Sequence, residues 1–258
     1  MGGPSRSPHA VAGFAPWWAV PAQMNPNLNS KEFANSYQAM RALLRDHRFM
    51  HFPMTADWTA AVTGSGSTSR VSVTETFLAL GATTISQALI RTQVYGLFSN
   101  SANNQRYIDW RKRLLLSYCL GVEQAGAGPI TSFMQLKEAS AHGALAERGI
   151  GIQVFQDGTN ARQLSCVSYG TAGATTSAAV TLPIYGAVKI DILHDPVGGT
   201  IAWYVDNVLK VTHSIAANIP NAAGTANAYL VCSIDRPSGG DVANRYMSLG
   251  HVFLLMEM

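Results

Sequence analysis

The sequence predicts an all-β protein, a two-sheet antiparallel jelly-roll sandwich with an N-terminal arm and one helix. The first observation is the stretch YGAVKIDILHDPVGGTIAWYVDNVLK at residues 185–210. Val188, Ile190 and Ile192 alternate there with Lys189, Asp191 and Leu193, the pattern breaks at HDPVGG, and it resumes in TIAWYVDNVLKV. This spells strand, tight turn, strand, short turn, strand, with Asp206 and Asn207 forming the last turn. The second observation is that more than ten such short runs, joined by Gly, Asn and Asp turns, fill the chain from Met50 onward. Strands in such number without alternating helices make a sandwich and not a βαβ protein. The third is size: 258 residues, 47% apolar, can bury a sizeable core in one large sandwich or two small ones.

Each element has its own warrant. Residues 1–30 are rich in Pro, Gly, Ala and Asn and hold Trp17 and Trp18, so they read as an irregular arm. Two exposed tryptophans are costly for a monomer, and they are expected to bury against another subunit of an assembly. Asn29 and Ser30 cap a helix in SKEFANSYQAMRALLRDHRF, where Phe33, Tyr37, Met40, Leu43 and Leu44 fall at helical spacing. Glu32 sits at its N-terminal end, where the helix dipole favours an anion. The arm and helix occupy residues 1–48 and the sandwich 49–258. Strands follow in HFPMTADWTAAVTG, STSRVSVTETFLAL, TTISQALIRTQVYGLF, RYIDWRKRLLLSYCLGV and TSFMQLKEAS. Gly64 to Gly66, SNSANNQ and QAGAGP separate them as turns or loops. HGALAERG is a turn or a single helical turn. GIGIQVFQDGTNARQLSCVSYG is a hairpin around Asp157 and Gly158, and ANAYLVCSID and SLGHVFLLMEM end the chain as strands.

Composition narrows the function classes. Charged residues make up 13%, about half the roughly 25% of ordinary soluble domains. Such a surface repels its neighbours weakly, which suits either a covered position in an assembly or an extracellular protein rich in Thr and Ser. A net charge of +3 does not imply nucleic acid. The one dense basic cluster, DWRKR at residues 109–113, lies beside Trp110 and Tyr107, and a solvated loop or guarded strand edge accounts for it. Cys119, Cys166 and Cys232 stand in apolar strand-like runs, as buried free thiols do. The start lacks the apolar core of a signal peptide, and no run reaches membrane-spanning length. Synthesis in the cytoplasm is therefore expected, with no membrane insertion.

The layout from Ala144 onward resembles the concanavalin A-like lectin/glucanase (laminin-G-like) jelly-roll superfamily. The residues that carry the resemblance are IQVF, DG and LSCVSYG; VKIDIL, a turn and TIAWYVDNVLKV, with Trp and Tyr ahead of a V-D-x turn; and NAYLVCSI before a last strand. Residues 150–258 fit this layout, and residues 50–140 supply strands for its first half. The resemblance implies lectins, glycosidases, pentraxins and viral surface proteins alike, so function has to come from sites.

Glycoside hydrolysis needs two carboxylates flanking the scissile bond, and the superfamily's glucanases set theirs on one strand as E-x-D-x-E. Glu75, Glu138 and Glu147 have no acidic partner at that spacing, and Asp191 and Asp195 are separated by a turn. Ser168 lacks the flanking glycines of a nucleophile elbow, and no glycine-rich loop precedes Lys-Ser or Lys-Thr. The expectation is a protein without enzymatic activity and without cofactor. Calcium could use Asp157, Asn160, Asp195, Asp206 and Asn207, but Asx residues in scattered turns need no metal to explain them. For sugar, Trp203 and Tyr204 are consecutive on a strand, so one faces in and one out. Ile201, Trp203 and Val205 form the apolar set and are assigned to the core. Tyr204, Asp206, Asn207 and Trp110 are the candidate carbohydrate or partner contacts, and Trp17 and Trp18 the assembly contacts. The leading expectation is a structural protein of a larger assembly, a virion decoration, capsid-associated or fibre protein whose partners are its own other subunits. A carbohydrate-binding lectin-like module is the alternative, and a jelly-roll glycoside hydrolase the third reading.

Overall fold

The computed structural model describes residues 47–52, 58–64, 66–72, 75–80, 86–94, 108–123, 129–141, 143–156, 162–182, 187–214, 216–222, 227–236 and 245–257. The arm with Trp17 and Trp18, the expected helix up to residue 46 and the Asp157–Gly158 turn lie outside them. β1 (His47–Phe52) opens the described chain, so His47 and Arg48 belong to a strand and not to a helix end.

The remaining strands follow in quick succession. They are β2 (Thr59–Thr63), β3 (Gly66–Ser72), β4 (Glu75–Leu80), β5 (Ser86–Gln93), β6 (Leu114–Glu123) and β7 (Ile130–Lys137). Next come β8 (Gly149–Gln156), β9 (Arg162–Tyr169), β10 (Ala174–Thr176), β11 (Val180–Leu182) and β12 (Ala187–Asp195). The last are β13 (Thr200–Val205), β14 (Val208–His213), β15 (Tyr229–Arg236) and β16 (Arg245–Glu257), with one 3₁₀ turn at Ala216–Asn218 before β15. Sheet A runs β14-β13-β12-β6-β16-β4-β3, with β1 also on β16; sheet B runs β10-β9-β8-β7-β15-β5-β2, with β11 also on β9. Every pairing among these strands is antiparallel. The architecture is the two-sheet all-β sandwich that the alternation predicts.

The period-2 pattern decides which face is buried. Leu114, Leu116, Tyr118 and Leu120 of β6 and Ile190 and Ile192 of β12 turn inward from sheet A. They meet Met134 and Leu136 of β7, Ile150, Ile152 and Val154 of β8, and Leu230, Cys232 and Ile234 of β15. β13 follows the expected register: Ile201, Trp203 and Val205 are buried, while Ala202 and Tyr204 are half-buried on the other face. The turn to β14 has positive φ at both Asp206 (48°) and Asn207 (66°), as a two-residue hairpin with the twist of its strands requires.

One expected strand is shorter than its sequence suggests. RYIDWRKRLLL does not run straight, because β6 starts only at Leu114. The Asp109 carboxylate accepts the Arg111 backbone N–H (3.1 Å) and grips its guanidinium at 2.7 and 2.8 Å, which bends the chain over residues 109–113. That guanidinium holds the Asp109 carboxyl below its usual range.

All three cysteines are free and buried. Burial pushes the Cys166 thiol up to about 12 and raises Cys232 as well. Thiolate, the reactive form, is therefore scarce at neutral pH. Native protein should label with a maleimide far more slowly than a free thiol, and denatured protein should give three labels without reductant. Mass spectrometry of the adducts checks both; prompt native labelling of Cys166 or Cys232 would contradict the packing.

Candidate functional site: the outer face of sheet B

The residues singled out from sequence fall in different places. Lys189 on β12 gathers the β13–β14 turn. Its backbone N–H donates to Asp206 Oδ1 (2.9 Å), its carbonyl accepts the Asp206 N–H (2.9 Å), and its ammonium donates to Asn207 Oδ1 (2.9 Å). The same ammonium meets Asp191 Oδ2 at 2.7 Å, and Ser117 Oγ on β6 donates to Asp191 Oδ1 at 2.6 Å. Tyr204 pairs with Asp191 across the β12–β13 ladder. Tyr204, Asp206 and Asn207 thus do come together, but the Asp206 and Asn207 oxygens serve to fix the hairpin to β12.

Trp110 is a correction. It is fully buried and offers no face to a sugar. The bend at Asp109 turns it inward, where its indole N–H donates to Glu138 Oε1 at 2.8 Å and its ring meets His194 edge-on. Trp17 and Trp18 lie outside the described residues. Among the described residues no group of three or more His, Cys, Asp or Glu side chains could hold a metal ion, and no helix is long and apolar enough to cross a membrane.

The outer face of sheet B has a different character. Along β7, Phe133, Gln135 and Lys137 alternate with the core-facing Met134 and Leu136. Gln135 lies opposite Gly151 of β8 and Val231 of β15, and Phe133 opposite Gln153 and Ser233. Gly151 is required here: a β-carbon on it would stand 2.9 Å from Gln135 Cγ and closer still to the Met134 carbonyl. The glycine lets the Gln135 side chain lean across β8. Both atoms of the Gln135 carboxamide and the Ser233 hydroxyl are buried and meet no hydrogen-bond partner. Such atoms are rare in folded proteins, and each asks for a water or a ligand. Lys137 stands beside them, its ammonium pushed down by burial, with Glu147 and Asp235 opposing.

Over β8 and β9 this face opens to solvent. Gln153 pairs with Ser165 and Phe155 with Gln163. Gln153, Ser165 and Gln163 are half-buried, and Phe155 is 40% exposed. Gln163 Nε2 donates to Thr181 Oγ1 of β11 at 3.3 Å, which holds that amide at the edge. The chain between β7 and β8 frames the other end: Ser140 O accepts from Arg91 Nη1 (2.9 Å), and Leu145 lies over Gly149. Over β8 and β9 the result is a surface of amides and a hydroxyl with the exposed ring of Phe155 among them. Amides both donate and accept, and an exposed ring can stack on an apolar face. Sequence reasoning passed over Gln135, Gln153, Phe155 and Ser233. The alternation in TSFMQLK and GIQVF was the available signal, since it sets Gln135, Gln153 and Phe155 on the outward side.

No protein-family model and no curated protein sequence matches the chain. Solved structures do. The CBM2 module of the evolved Dit of Lactobacillus casei BL23 phage J-1 superposes with a TM-score of 0.57 at 10% identity, over 83% of this chain and 98% of that one. The fold is the concanavalin A-like jelly roll. Other structures of this jelly roll that the chain matches are the Emp47p carbohydrate recognition domain (TM-score 0.49, 9% identity, 79% of this chain and 90% of that one) and a glycoside hydrolase family 16 endo-glucanase from Bacteroides ovatus (0.49, 11%, 81% and 99%). The glucanase corrects one expectation. Exclusion of enzymatic activity rested on the spacing of acidic residues, yet this jelly roll is found in glucanases as well as in modules of other kinds. The chain cannot be set apart from enzymes on that ground, and the exclusion is withdrawn.

Proposed function

We propose that this protein is a glycan-binding module carried on a virion or a comparable particle, and that the sugar lies across β7, β8 and β9 on the outer face of sheet B. The observation that carries this reading is the buried Gln135 carboxamide, which lacks any partner on a face that continues into the half-buried amides of Gln153 and Gln163 and the exposed ring of Phe155. From Gly151, beside Gln135, to Phe155 is four residues of strand, about 13 Å. That length admits a short oligosaccharide, hydroxyls on the amides at one end and a ring on Phe155 at the other. The particle is supported by the likeness to a module of a phage protein and by a surface with few charges. Its partners there would be other subunits, reached in part through the arm with Trp17 and Trp18.

The test is a screen of the full chain against bacterial surface polysaccharides and plant and microbial glucans, followed by calorimetry on the best ligand. Phe155→Ala and Gln153→Ala should each weaken binding about tenfold, or about 1.4 kcal/mol, with little change in melting temperature. Binding that survives both substitutions, or no binding to any glycan at millimolar concentration, would contradict the proposal.

A further inference from the structure

Sheet A turns a second set of side chains away from the core. Residues opposite one another in its ladders share a face. Leu255, Leu115 and Leu193 therefore make one outward row across β16, β6 and β12, and Phe253, Ser117 and Asp191 the next. Cys119 and Lys189 follow, opposite one another. None of these residues belongs to the core cluster between the sheets.

The exposure of this face is graded. At the edge strand β14, Leu209, which pairs with Tyr204, is 53% exposed. Ala202 and Tyr204 of β13 are half-buried. Lys189 and Asp191 of β12 and Ser117 and Cys119 of β6 are buried, and Phe253 and Leu255 of β16 are each only 2% exposed. A sheet cannot close over its own outer face, so burial of this depth calls for a further layer lying on β16, β6 and β12. Every substantial contact between described elements is made within a sheet or between the two sheets, so none of those elements is that layer. The structure holds one copy of the chain, and the burial is that of the single copy.

We propose that residues 31–46 form an amphipathic helix that docks in cis on the outer face of sheet A, its apolar stripe lying over β16, β6 and β12. The stripe is Phe33, Tyr37, Met40 and Leu44, at positions i, i+4, i+7 and i+11, which fall on one side of a helix, with Gln38 and Arg45 on the other. Sixteen helical residues span about 24 Å. The distance from β1 to β12, three strand spacings, is about 14 Å, so the segment is long enough to cross the covered strands.

The place where the segment ends supports the same seat. β1 begins at His47, opposite Glu257, and Phe49 pairs with Leu255. Residue 46 therefore stands at the corner of the buried patch, and no linker is needed to reach it. The border there is polar. Arg113 Nε donates to Asp195 Oδ1 (2.9 Å), and the Arg113 N–H donates to Glu257 Oε2 (3.3 Å). The charged end of the segment, Arg45 and Asp46, arrives at this border, while the apolar stripe meets the leucines and Phe253 inside it. Lys189 and Asp191 neutralise one another at 2.7 Å, so the stripe faces no net charge from them. Residues 95–107 are the other long stretch outside the described residues, but the middle of that stretch, SNSANNQ, is polar, and it follows Val94, whose N–H is bonded to Ala228 O at the end of β5 in sheet B. With the helix seated on the sandwich, residues 1–30 are what is left to reach a neighbouring subunit.

Cys119 is a built-in reporter, since it lies on the covered face while Cys166 and Cys232 lie in the core cluster. The test is maleimide labelling of the full chain under native conditions, followed cysteine by cysteine by peptide mass spectrometry. The double variant Tyr37→Asp, Met40→Asp, which sets two charges in the stripe, should raise the labelling rate of Cys119 about tenfold or more, with Cys166 and Cys232 unchanged. Gln38→Asp, on the opposite side, should change none of the three. A Cys119 rate that stays the same in the double variant while the sandwich remains folded would overturn the docking. In the unmodified chain the Cys119 rate should not depend on protein concentration; acceleration on dilution to the monomer would show that a second copy supplies the cover and would overturn the placement in cis. Should all three cysteines of the double variant label together, the variant has unfolded, and hydrogen exchange of the unmodified monomer decides. Protected amides over residues 35–46 support the docked helix, and exchange there at the rate of an unfolded peptide overturns it.

Discussion

Trp203→Ala is expected to lower the unfolding free energy by about 3–5 kcal/mol, the usual range for deleting a buried large aromatic. Trp203 is fully buried, its indole N–H donates to Gly151 O of the opposite sheet at 3.1 Å, and its ring contacts His213. The substitution removes packing between the sheets and a sheet-to-sheet hydrogen bond at once. Tyr204, next along β13, faces the other way and is half-buried, so Tyr204→Ala should cost less than about 1.5 kcal/mol. Denaturant melts of the two variants measure the contrast. A larger loss from Tyr204→Ala would mean that β13 is out of register by one residue, which exchanges its faces.

That contrast was legible in the sequence because alternation is a local property. Ile201, Trp203 and Val205 could be assigned to one side from the residues alone, and the Asp206–Asn207 turn from residue types that tolerate positive φ. The strand neighbours were not legible. β6 is flanked by β12 and β16, far away in the chain, and nothing local states this. Trp110 misled for a related reason: in sequence it belongs to a basic cluster, and only its long-range bond to Glu138 reveals a core residue. Gln135 went unnoticed because a lone glutamine in a strand signals nothing until its neighbours are known. Its meaning comes from Gly151 and Val231 on adjacent strands and from the partners that it lacks. The reading of the acids failed at a different level. A missing motif was treated as evidence against catalysis, whereas the fold is shared with glucanases and does not separate the two cases.

The second large effect concerns the Lys189–Asp191 pair. Their side chains are 1% and 6% exposed, and the ions meet at 2.7 Å. Lys189→Ala should destabilise the protein by about 3–5 kcal/mol, the range for removing one partner of a buried ion pair. It strands the Asp191 carboxylate with only the Ser117 hydroxyl at hand, and it removes the tie from β12 to Asn207. The double variant Lys189→Met, Asp191→Leu should recover much of the loss, because replacing both ions with apolar groups leaves no orphaned charge. Urea melts of the single and double variants check both statements. A loss below about 1 kcal/mol for Lys189→Ala would show that the pair is hydrated and does not fix the hairpin. Since Asp206 and Asn207 belong to this fixture, substitutions there should act on stability before they act on any ligand.

Two surfaces therefore compete for the role of ligand site: the β13–β14 hairpin suggested by sequence and the outer face of sheet B suggested by its unpartnered polar atoms. Hydrogen exchange of the full chain, with and without the tightest glycan from the screen, separates them most directly. New protection is expected only on β7, β8 and β9 around Gln135, Gln153 and Phe155, with β13 and β14 unchanged. Protection centred on Tyr204, Asp206 and Asn207, with none on β8, would contradict it.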